Sequence, residues 1–282
     1  MRVFESPQEL QQYITEEKRK GKTVGFVPTM GFLHEGHLSL LRAVRPDVDI
    51  LVMSIFVNPL QFAPSEDLKT YPRDIAKDQA MVEKEGVDIL FLPSDESMYP
   101  SGYSTYVGEI ELSQRWCGKS RPGHFRGVTT VVLKLFNIVQ PDISVFGEKD
   151  YQQAKVIAKM ASDLNLPVTI RTCPIVREPD GLAMSSRNSY LTSEQRQAAL
   201  ALTNSLDYAI NEFRKGVRQG NYLIQAMCLY IQTQDNIKLD YVACVDKDTL
   251  SPKEHVDVGD RLLVAAYVGE TRLIDNKPLT LE

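Results

Sequence analysis

Apolar segments alternate with segments of helical periodicity from residue 23 to residue 174, and this alternation constrains the fold more than any other feature of the chain. The apolar segments are rich in β-branched and aromatic residues and span residues 23–29, 49–57, 87–93, 143–147 and 168–174. Apolar runs without polar alternation are typical of strands that are covered on both faces, as in a parallel sheet.

The segments between these runs have the apolar spacing of amphipathic helices. They read HLSLLRAV, AKDQAMVEKEG, VTTVVLKLFNIV and YQQAKVIAKMASDLN, and several are followed by Gly, Pro or Asn. Strands that alternate with helices form βαβ units. We therefore predict an α/β fold with an open, doubly wound parallel sheet.

The pattern changes near Val176. Thr192 and Gln195 have the spacing of a capping box and precede a long amphipathic segment, which predicts a helix. Three β-like segments follow, separated by polar turns: LDYVACVD, DRLLVAAYV and TRLIDN. We expect one domain over residues 1–176 and a smaller α+β domain over residues 177–282, with a helix and a three-stranded antiparallel sheet.

Composition and charge exclude several classes of protein. Hydrophobic residues make up 43% of the chain and charged residues 24%, as in ordinary globular proteins. The net charge of −5 argues against nucleic acid as a partner. Lys134 interrupts the longest apolar stretch, and the N-terminus lacks the apolar core of a signal peptide. We therefore expect a cytoplasmic protein without a membrane partner.

The four cysteines, Cys117, Cys173, Cys228 and Cys244, are widely separated and form no C-x-x-C pair. This spacing favours reduced thiols over a disulfide framework, and it does not match the ligand spacing of a zinc site.

The segment PTMGFLHEGH, residues 28–37, contains two of the four histidines of the chain. His34 and His37 are three residues apart, so both rings lie on one face if a helix begins here at about Gly36. Neutral imidazoles at a helix N-terminus can donate hydrogen bonds to phosphate oxygens, and Gly31 and Gly36 let the backbone approach closely. The alternative is that histidine is merely tolerated near a helix start.

Two further polar segments follow predicted strands. NPLQF, residues 58–62, contains Asn58 and Gln61, although Asn-Pro is also a common turn initiator. GEKDYQQ, residues 147–153, contains Lys149 and the candidate N-cap Asp150, although a lysine here could simply be solvated. Ligands of open parallel sheets bind at the carboxyl ends of the strands, so these segments are candidate site residues.

A fourth segment, DGLAMSSRNSYL at residues 180–191, places two serines beside an arginine. Arg187 is suited to bidentate phosphate contact, and Ser185 and Ser186 supply hydroxyl donors. The alternative is an ordinary loop between domains. Neither the G-x-x-x-x-G-K-[ST] phosphate loop nor the G-x-G-x-x-G dinucleotide motif is present.

Five segments in this order resemble the pantoate-beta-alanine ligase family: PTMGFLHEGHLSL, NPLQF, PGHFRGVTTVV, FGEKDYQQ and DGLAMSSRNSYL. The resemblance runs from about residue 23 to 195, and RLIDN near the C-terminus also fits. HEGH and MSSR resemble, more loosely, the HIGH and KMSKS motifs of class I aminoacyl-tRNA synthetases. The resemblance implies a Rossmann-like fold of the nucleotidyltransferase and class I synthetase type. We expect the C-terminal domain to close over the ATP site, because the MSSR segment begins this domain while the other motifs lie in the first.

The resemblance also implies an activity. Members of the family condense (R)-pantoate with β-alanine and ATP to give pantothenate, AMP and diphosphate, through a pantoyl adenylate. ATP is then a substrate, Mg²⁺ is expected mainly on the ATP phosphates, and a homodimer is expected.

Site residues follow from the matched motifs. The resemblance gives His37 the catalytic role, with His34, Lys149 and Arg187 as further candidates. It assigns pantoate contacts to Gln61 and Gln153, and a β-alanine contact to Gln61. We expect Asn58 to belong to the same pantoate-binding pocket. His124 is expected to order a loop near the entrance of the site. The ATP-binding residues are Met30, Gly31, Phe32, Leu33, His34, Glu35, Gly36, His37, Gly147, Glu148, Lys149, Asp150, Val176, Met184, Ser185, Ser186 and Arg187.

Two other functions compete with the ligase. A nucleotidyltransferase of similar fold would release the adenylate or cytidylate as its product, but Gln61 and Gln153 suit a hydroxylated acid as substrate. A nucleotide sensor without catalysis would keep the pocket, but the presence together of His34, His37, Lys149 and Arg187 argues against a degenerate site.

Overall fold

A computed structural model describes residues 1–281 of the chain and divides them into two compact units. The first unit comprises residues 1–114, 121–148 and 153–174. The second unit comprises residues 115–120 and 149–152 and the chain from Ile175 onward. Two short segments that precede residue 175 therefore belong to the second unit, and one of them contains Lys149.

The first unit contains a six-stranded sheet in which every neighbouring pair is parallel, in the order β1-β4-β3-β2-β5-β6. The predicted doubly wound parallel sheet is confirmed, and β1 is a strand that the sequence analysis did not anticipate. The strands are β1 (Arg2–Phe4), β2 (Val24–Thr29), β3 (Ile50–Ile55), β4 (Ile89–Phe91), β5 (Ile143–Gly147) and β6 (Thr169–Cys173).

Helices cover both faces of this sheet. Leu41 of α2 and Val82 of α3 belong to one buried cluster with Leu51 and Met53 of β3. On the other face, Phe26 of β2 meets Phe136 of α6 edge to face. The helices of the chain up to residue 163 are α1 (Pro7–Arg19), α2 (Glu35–Val44), α3 (Ile75–Lys84), α4 (Asp95–Met98), α5 (Cys117–Ser120), α6 (His124–Val139) and α7 (Tyr151–Asp163).

The direction of winding reverses beside β2, which pairs with β3 on one edge and with β5 on the other. Every residue of β3 is buried, which explains why its sequence is apolar without alternation. The chain leaves β2 at Thr29 and begins α2 at Glu35, so the segment that contains His34 lies at this reversal, where open parallel sheets bind ligands.

The second unit contains the predicted three-stranded antiparallel sheet, in the order β7-β8-β9. The Thr192 hydroxyl accepts from the Gln195 N–H at 3.2 Å, and the Gln195 side chain accepts from the Thr192 N–H at 3.0 Å, which confirms the capping box. Leu206 and Phe213 of α8 pack with Val264 of β8 in the core. The elements are α8 (Ser193–Arg214), α9 (Gly220–Gln232), β7 (Ile237–Val245), β8 (Arg261–Val268) and β9 (Thr271–Pro278).

Within residues 1–281, no helix combines the length and the apolar character that crossing a membrane requires.

Candidate active site

Two histidines cap helix α2. The helix begins at Glu35, so His34 is the N-cap in extended conformation and His37 is the third helical residue. His34 Nδ1 accepts from the Gly36 N–H at 3.2 Å, and His37 Nδ1 accepts from the His34 N–H at 3.3 Å. The expected start near Gly36 was one residue late, because the side chain of His34 replaces the usual Ser, Thr, Asp or Asn as the cap.

This reciprocal capping sets the protonation of both rings. An imidazole nitrogen accepts a hydrogen bond only when it carries no proton, so the hydrogen bonds assign both rings as neutral with the proton on Nε2. The ring centroids lie 4.1 Å apart. Two N–H donors are therefore held side by side at the positive end of a helix, which is an arrangement suited to phosphate oxygens.

Asn58 and Gln61 form a buried amide pair after β3. Asn58 is 1% exposed and caps the 3₁₀ turn Pro59–Gln61, so the turn-initiator interpretation of Asn-Pro also applies. Asn58 Nδ2 donates to Gln61 Oε1 at 3.1 Å and to the Gly127 carbonyl at 3.2 Å. Its Oδ1 accepts from the Tyr99 hydroxyl at 2.7 Å and from the Leu60 N–H at 3.4 Å. The hydrogen-bonding capacity of Asn58 is thus taken up by the protein.

The amide of Gln61 is oriented by this pair. Because Gln61 Oε1 accepts from Asn58, its Nε2 is directed to the sulfur of Met30, at 3.2 Å. A thioether is a weak acceptor. The strong donor of Gln61 therefore faces a partner that an oxygen of a ligand can replace at little cost.

Gly127 allows α6 to pack directly against the turn that holds Gln61. A Cβ atom at this position would lie 2.2 Å from the Leu60 carbonyl oxygen and 2.6 Å from the Gln61 nitrogen. Both neighbours are backbone atoms, so no side-chain rotation relieves the overlap. This role of Gly127 could not be predicted from the sequence, because a glycine inside a helix has no distinctive local signal.

His124 fixes the other side of the same turn. Its Nδ1 lies 2.8 Å from the Gln61 carbonyl oxygen, and Arg121 Nη1 lies 3.1 Å from its Nε2. Since the guanidinium can only donate, Nε2 is the acceptor and Nδ1–H donates to Gln61. His124 is buried, so it orders the chain at Gln61 as a structural partner.

Arg121 also holds the chain that follows Gln61. Its Nε and Nη2 donate to the two carboxylate oxygens of Glu66, at 2.5 and 2.8 Å. Burial alone would raise the pKa of the Glu66 carboxyl, but the hydrogen bonds and charge of Arg121 lower it below its ordinary value. Neither Arg121 nor Glu66 was singled out from the sequence.

A cavity of about 390 Å³ opens in the first unit at the carboxyl ends of β2, β3 and β4. Its lining includes Met30 and Phe32 after β2, and the exposed cations Lys69 and Arg73. The buried carboxylate of Asp78 also lines it.

Lys149 and Asp150 lie in the second unit. They belong to a 3₁₀ turn, Glu148–Asp150, that runs directly into α7, and Lys149 Nζ lies 3.6 Å from Asp150 Oδ1. The Asn276 side chain donates to the Lys149 carbonyl at 3.1 Å, and Asn276 itself is oriented by Arg261 Nε at 2.8 Å. Strand β9 therefore holds the backbone of Lys149.

The segment from Val176 to Arg187 also lies in the second unit. The Met184 N–H donates to the Val176 carbonyl at 3.0 Å, which closes a hairpin and brings these two candidate residues together. Ser185 caps the 3₁₀ turn Ser186–Tyr190 by accepting from the Arg187 N–H at 3.3 Å. The serines and Arg187 thus lie on a turn of defined geometry.

Strand β9 also braces this hairpin. Asp275 is 4% exposed and accepts from Arg177 Nη1 and Nη2 at 2.8 and 2.9 Å. Bidentate pairs of this kind fix geometry as well as charge. The segment RLIDN carried a signal in the sequence, because it fits the family, but its role as a brace for Lys149 and for the 176–184 hairpin required the structure.

The two glutamines of GEKDYQQ occupy different environments. Gln152 is 5% exposed; its Nε2 donates to the Arg115 carbonyl at 2.7 Å and its Oε1 accepts from the Cys117 N–H at 3.0 Å. Gln152, which the sequence analysis passed over, is thus a structural residue of the second unit. Gln153 is half-buried on α7 in the first unit, and its assignment to pantoate stays a prediction.

The candidate residues divide between the units. Met30 to His37, Asn58, Gln61, Gly147, Glu148 and Gln153 belong to the first unit, and Lys149, Asp150, Val176 and Met184 to Arg187 belong to the second. Across residues 1–281, no group of three or more His, Cys, Asp or Glu side chains is arranged to hold a metal ion.

Comparison with known proteins gives a consistent result over the whole chain. Residues 2–278 match the family model described as pantoate-beta-alanine ligase. A pantothenate synthetase from Thermotoga neapolitana is 54% identical over 276 residues, covering 98% of this chain and 99% of the relative.

Solved structures agree with this match. The crystal structure of pantothenate synthetase from Thermus thermophilus superposes with a TM-score of 0.94 at 44% identity, covering 99% of both chains. The pantoate-beta-alanine ligase from Francisella tularensis, complexed with beta-gamma ATP and beta-alanine, gives a TM-score of 0.79 at 34% identity. That comparison covers 99% of this chain and 97% of the other.

We predict that Gly127→Ala destabilises the first unit, because its methyl group would overlap the backbone at Leu60 and Gln61. Overpacking of this kind typically costs about 1–3 kcal/mol. Urea denaturation measures the change. Gly108→Ala is the matched control, since a Cβ there meets no atom within 4 Å. Equal stability of the two variants would contradict the direct packing of α6 on this turn.

Proposed function

The chain belongs to the pantoate-beta-alanine ligase family, and we propose that it uses ATP to condense (R)-pantoate with β-alanine, giving pantothenate, AMP and diphosphate. The match of residues 2–278 to the family is the observation that carries this function. The paired N–H donors of His34 and His37 at the start of α2 support it independently, because the first step is a reaction at phosphate.

The proposed first step activates the carboxylate. A carboxylate oxygen of pantoate attacks the α-phosphorus of ATP, and the bond between that phosphorus and the bridging oxygen of diphosphate breaks. The products are pantoyl adenylate and diphosphate. Since this in-line displacement at phosphorus transfers the adenylyl group with little covalent help from the protein, the site acts by positioning and by neutralising charge.

The proposed second step forms the amide. The neutral amine of β-alanine attacks the acyl carbon of the adenylate, the bond from that carbon to the AMP oxygen breaks, and the amine loses a proton. AMP is a far better leaving group than the oxide that a free carboxylate would have to expel, which is why an adenylate must be made first.

We assign His37, assisted by His34, to the phosphate oxygens of ATP. The Nε2–H groups can donate there without a preceding protonation change, because the Nδ1 atoms are occupied by the cap of α2. Lys149 and Arg187 are the cations proposed for the β- and γ-phosphates. The remaining ATP contacts are those of the matched motifs, from Met30 to His37, Gly147 to Asp150, and Val176 with Met184 to Arg187.

We assign Gln61 to pantoate and β-alanine, and Gln153 to pantoate. Asn58, which we predicted as a further pantoate contact, acts through Gln61 in this proposal, because its own donors and acceptors are engaged within the protein. Neutral amides suit a substrate whose hydroxyls both donate and accept.

The conditions of the reaction are also proposals. Mg²⁺ is proposed to bind mainly to phosphate oxygens of ATP, as is usual for this ion in nucleotide sites. We propose a homodimer and a cytoplasmic location. Closure of the C-terminal domain over ATP stays a prediction.

The function is tested by measuring AMP release from ATP, Mg²⁺ and (R)-pantoate, with and without β-alanine, and by identifying the products by mass. We expect AMP and pantothenate only when β-alanine is present. Release of a free adenylate as the final product would indicate a nucleotidyltransferase instead. Binding of ATP without any AMP would favour a nucleotide sensor.

We predict that His37→Ala and Lys149→Ala each lower kcat by at least ~10²-fold while the protein stays folded, since preorganised donors to phosphate are typically worth this much. His37→Asn separates capping from catalysis, because its amide oxygen can still accept from the His34 N–H while the Nε2 donor is lost. We expect it to be as slow as His37→Ala. The exposed residues His255 and Lys238 supply matched alanine controls. If turnover in His37→Asn is close to that of the wild type, the role of His37 is to cap helix α2 and not to donate to phosphate.

We predict that Gln61→Ala raises KM for pantoate at least ~10-fold more than KM for ATP, because a lost hydrogen bond to a substrate costs about 1–3 kcal/mol. Steady-state kinetics with each substrate varied in turn measure the two constants. Gln12→Ala, which removes an exposed amide from α1, is the control. An equal rise for both substrates would point to a general packing defect at the turn of Gln61.

A further inference from the structure

Asp78 is a buried acid on α3 whose carboxylate binds the loop between β2 and α2. It is 1% exposed. Its Oδ2 accepts from the Phe32 N–H at 2.7 Å, and its Oδ1 accepts from the Leu33 N–H at 2.8 Å. Both donors belong to the backbone, and His34 follows directly.

The loop that Asp78 binds is not relaxed. Gly31 has φ of +81° and Phe32 has φ of +52°, so two successive residues are left-handed. For a residue other than glycine this conformation costs roughly 1–2 kcal/mol. A Cβ on Gly31 would also lie 2.7 Å from Ile55 Cγ2 and 3.0 Å from Asp78 Oδ2. The turn therefore needs a partner outside the loop to keep its shape.

Burying an ionised carboxylate at this position costs free energy. Burial raises the pKa of the Asp78 carboxyl, and the hydrogen bonds from Leu33 and Phe32 oppose that shift. The charge of Asp74, the N-cap of the same helix, opposes ionisation of Asp78, whereas the charge of Lys77 favours it. Lys69, Arg73 and Asp95 line the same cavity as Asp78. Stability alone does not explain a buried acid here, because an uncharged side chain would avoid the cost of burial.

The need for two hydrogen-bond acceptors explains why the residue at position 78 is an acid. Two carboxylate oxygens receive two adjacent N–H groups in one fixed geometry, and bonds to an ionised acceptor are about twice as strong as neutral ones. An amide has one oxygen, and its NH₂ group would face the second N–H. Only an acidic side chain satisfies both donors.

We propose that Asp78 is a positioning residue that fixes the Gly31–Phe32 turn and thereby the placement of His34 and His37 over the reacting phosphate. Its oxygens are engaged by the loop, so it acts through the histidines and takes no part in the chemistry. The proposal rests on the proposed function for its effect on turnover, and on the hydrogen bonds alone for its effect on the histidines.

Asp78→Asn tests the proposal, with Asp74→Asn as the matched control. Asp74 is an exposed residue of the same region that caps α3 by accepting from the Lys77 N–H at 3.1 Å, and asparagine caps equally well. We expect Asp78→Asn to lower kcat for AMP formation at least ~10-fold, with KM for ATP within about 3-fold, because misplacement affects the transition state most. The melting temperature should change little, because the amide avoids the cost of burying a charge but leaves one backbone N–H without its acceptor. Asp74→Asn should leave kcat, KM for ATP and the melting temperature unchanged.

Imidazole ¹⁵N NMR gives a readout that does not depend on activity. The chain has four histidines, so His124 and His255 serve as internal references for His34 and His37. In Asp78→Asn we expect the signals of His34 and His37 to shift or broaden while the references stay in place. If the wild type forms no AMP, the proposed function fails. A shift of the His34 and His37 signals in Asp78→Asn would then still support the positioning role of Asp78. Unchanged signals, or a kcat equal to that of Asp74→Asn, would overturn it.

Gly31→Ala perturbs the same turn from the loop side, without altering α3. It should lower kcat and move the same two imidazole signals. In the double variant Gly31→Ala with Asp78→Asn, the loss should be close to that of the more damaged single variant, because both substitutions release one turn. If the fold-losses in kcat of the two single variants multiply in the double variant, the two substitutions act independently, and the proposal is contradicted. Gly31→Ala also decides the question if Asp78→Asn does not fold.

Discussion

The capping of helix α2 is the interaction on which the site depends. A helix begins with backbone N–H groups that lack partners within the helix. Here the partners are Nδ1 of His34 and Nδ1 of His37. Because acceptance at Nδ1 requires the proton on Nε2, each ring can cap the helix with Nδ1 and donate with Nε2 to the phosphate that we propose as its ligand. The positive end of the helix also disfavours a charged imidazole, so it favours the same neutral form.

The supports of the site act mainly on the backbone. Asp78 binds the N–H groups of the loop before His34, His124 binds the carbonyl of Gln61, and Asn276 binds the carbonyl of Lys149. Such hydrogen bonds fix the backbone position of a candidate site residue, and they do not involve the polar atoms of its side chain. They also explain why buried polar residues lie in both units, where replacement by apolar residues would leave backbone groups unpaired.

Much of the fold could be predicted because periodicity reports burial. The continuous apolar runs predicted the parallel strands, and Thr192 with Gln195 predicted the start of α8. Strand β1 was missed because three residues, mostly exposed, give no such signal. For the candidate site, motifs at strand ends predicted the His34 and Lys149 segments, and their role as site residues stays a prediction. Asp78, Gly127 and Asn276 could not be inferred from their local sequence, since their roles depend on partners 45 or more residues away along the chain. The proposal that Asn58 acts through Gln61 likewise rests on distant partners, Tyr99 and Gly127.

The amide pair shows how a protein keeps a donor available in a buried place. A buried amide normally finds strong partners, and an unpaired one is costly. Asn58 takes four partners, and one of them is Gln61 Oε1, which leaves Gln61 Nε2 facing the thioether of Met30. A substrate oxygen that displaces this sulfur gains a full hydrogen bond, while the sulfur loses only a weak one. The weakest hydrogen bond of the network therefore lies at the position that we propose for the hydroxylated acid, and the strong bonds around it prevent Gln61 from turning toward another partner.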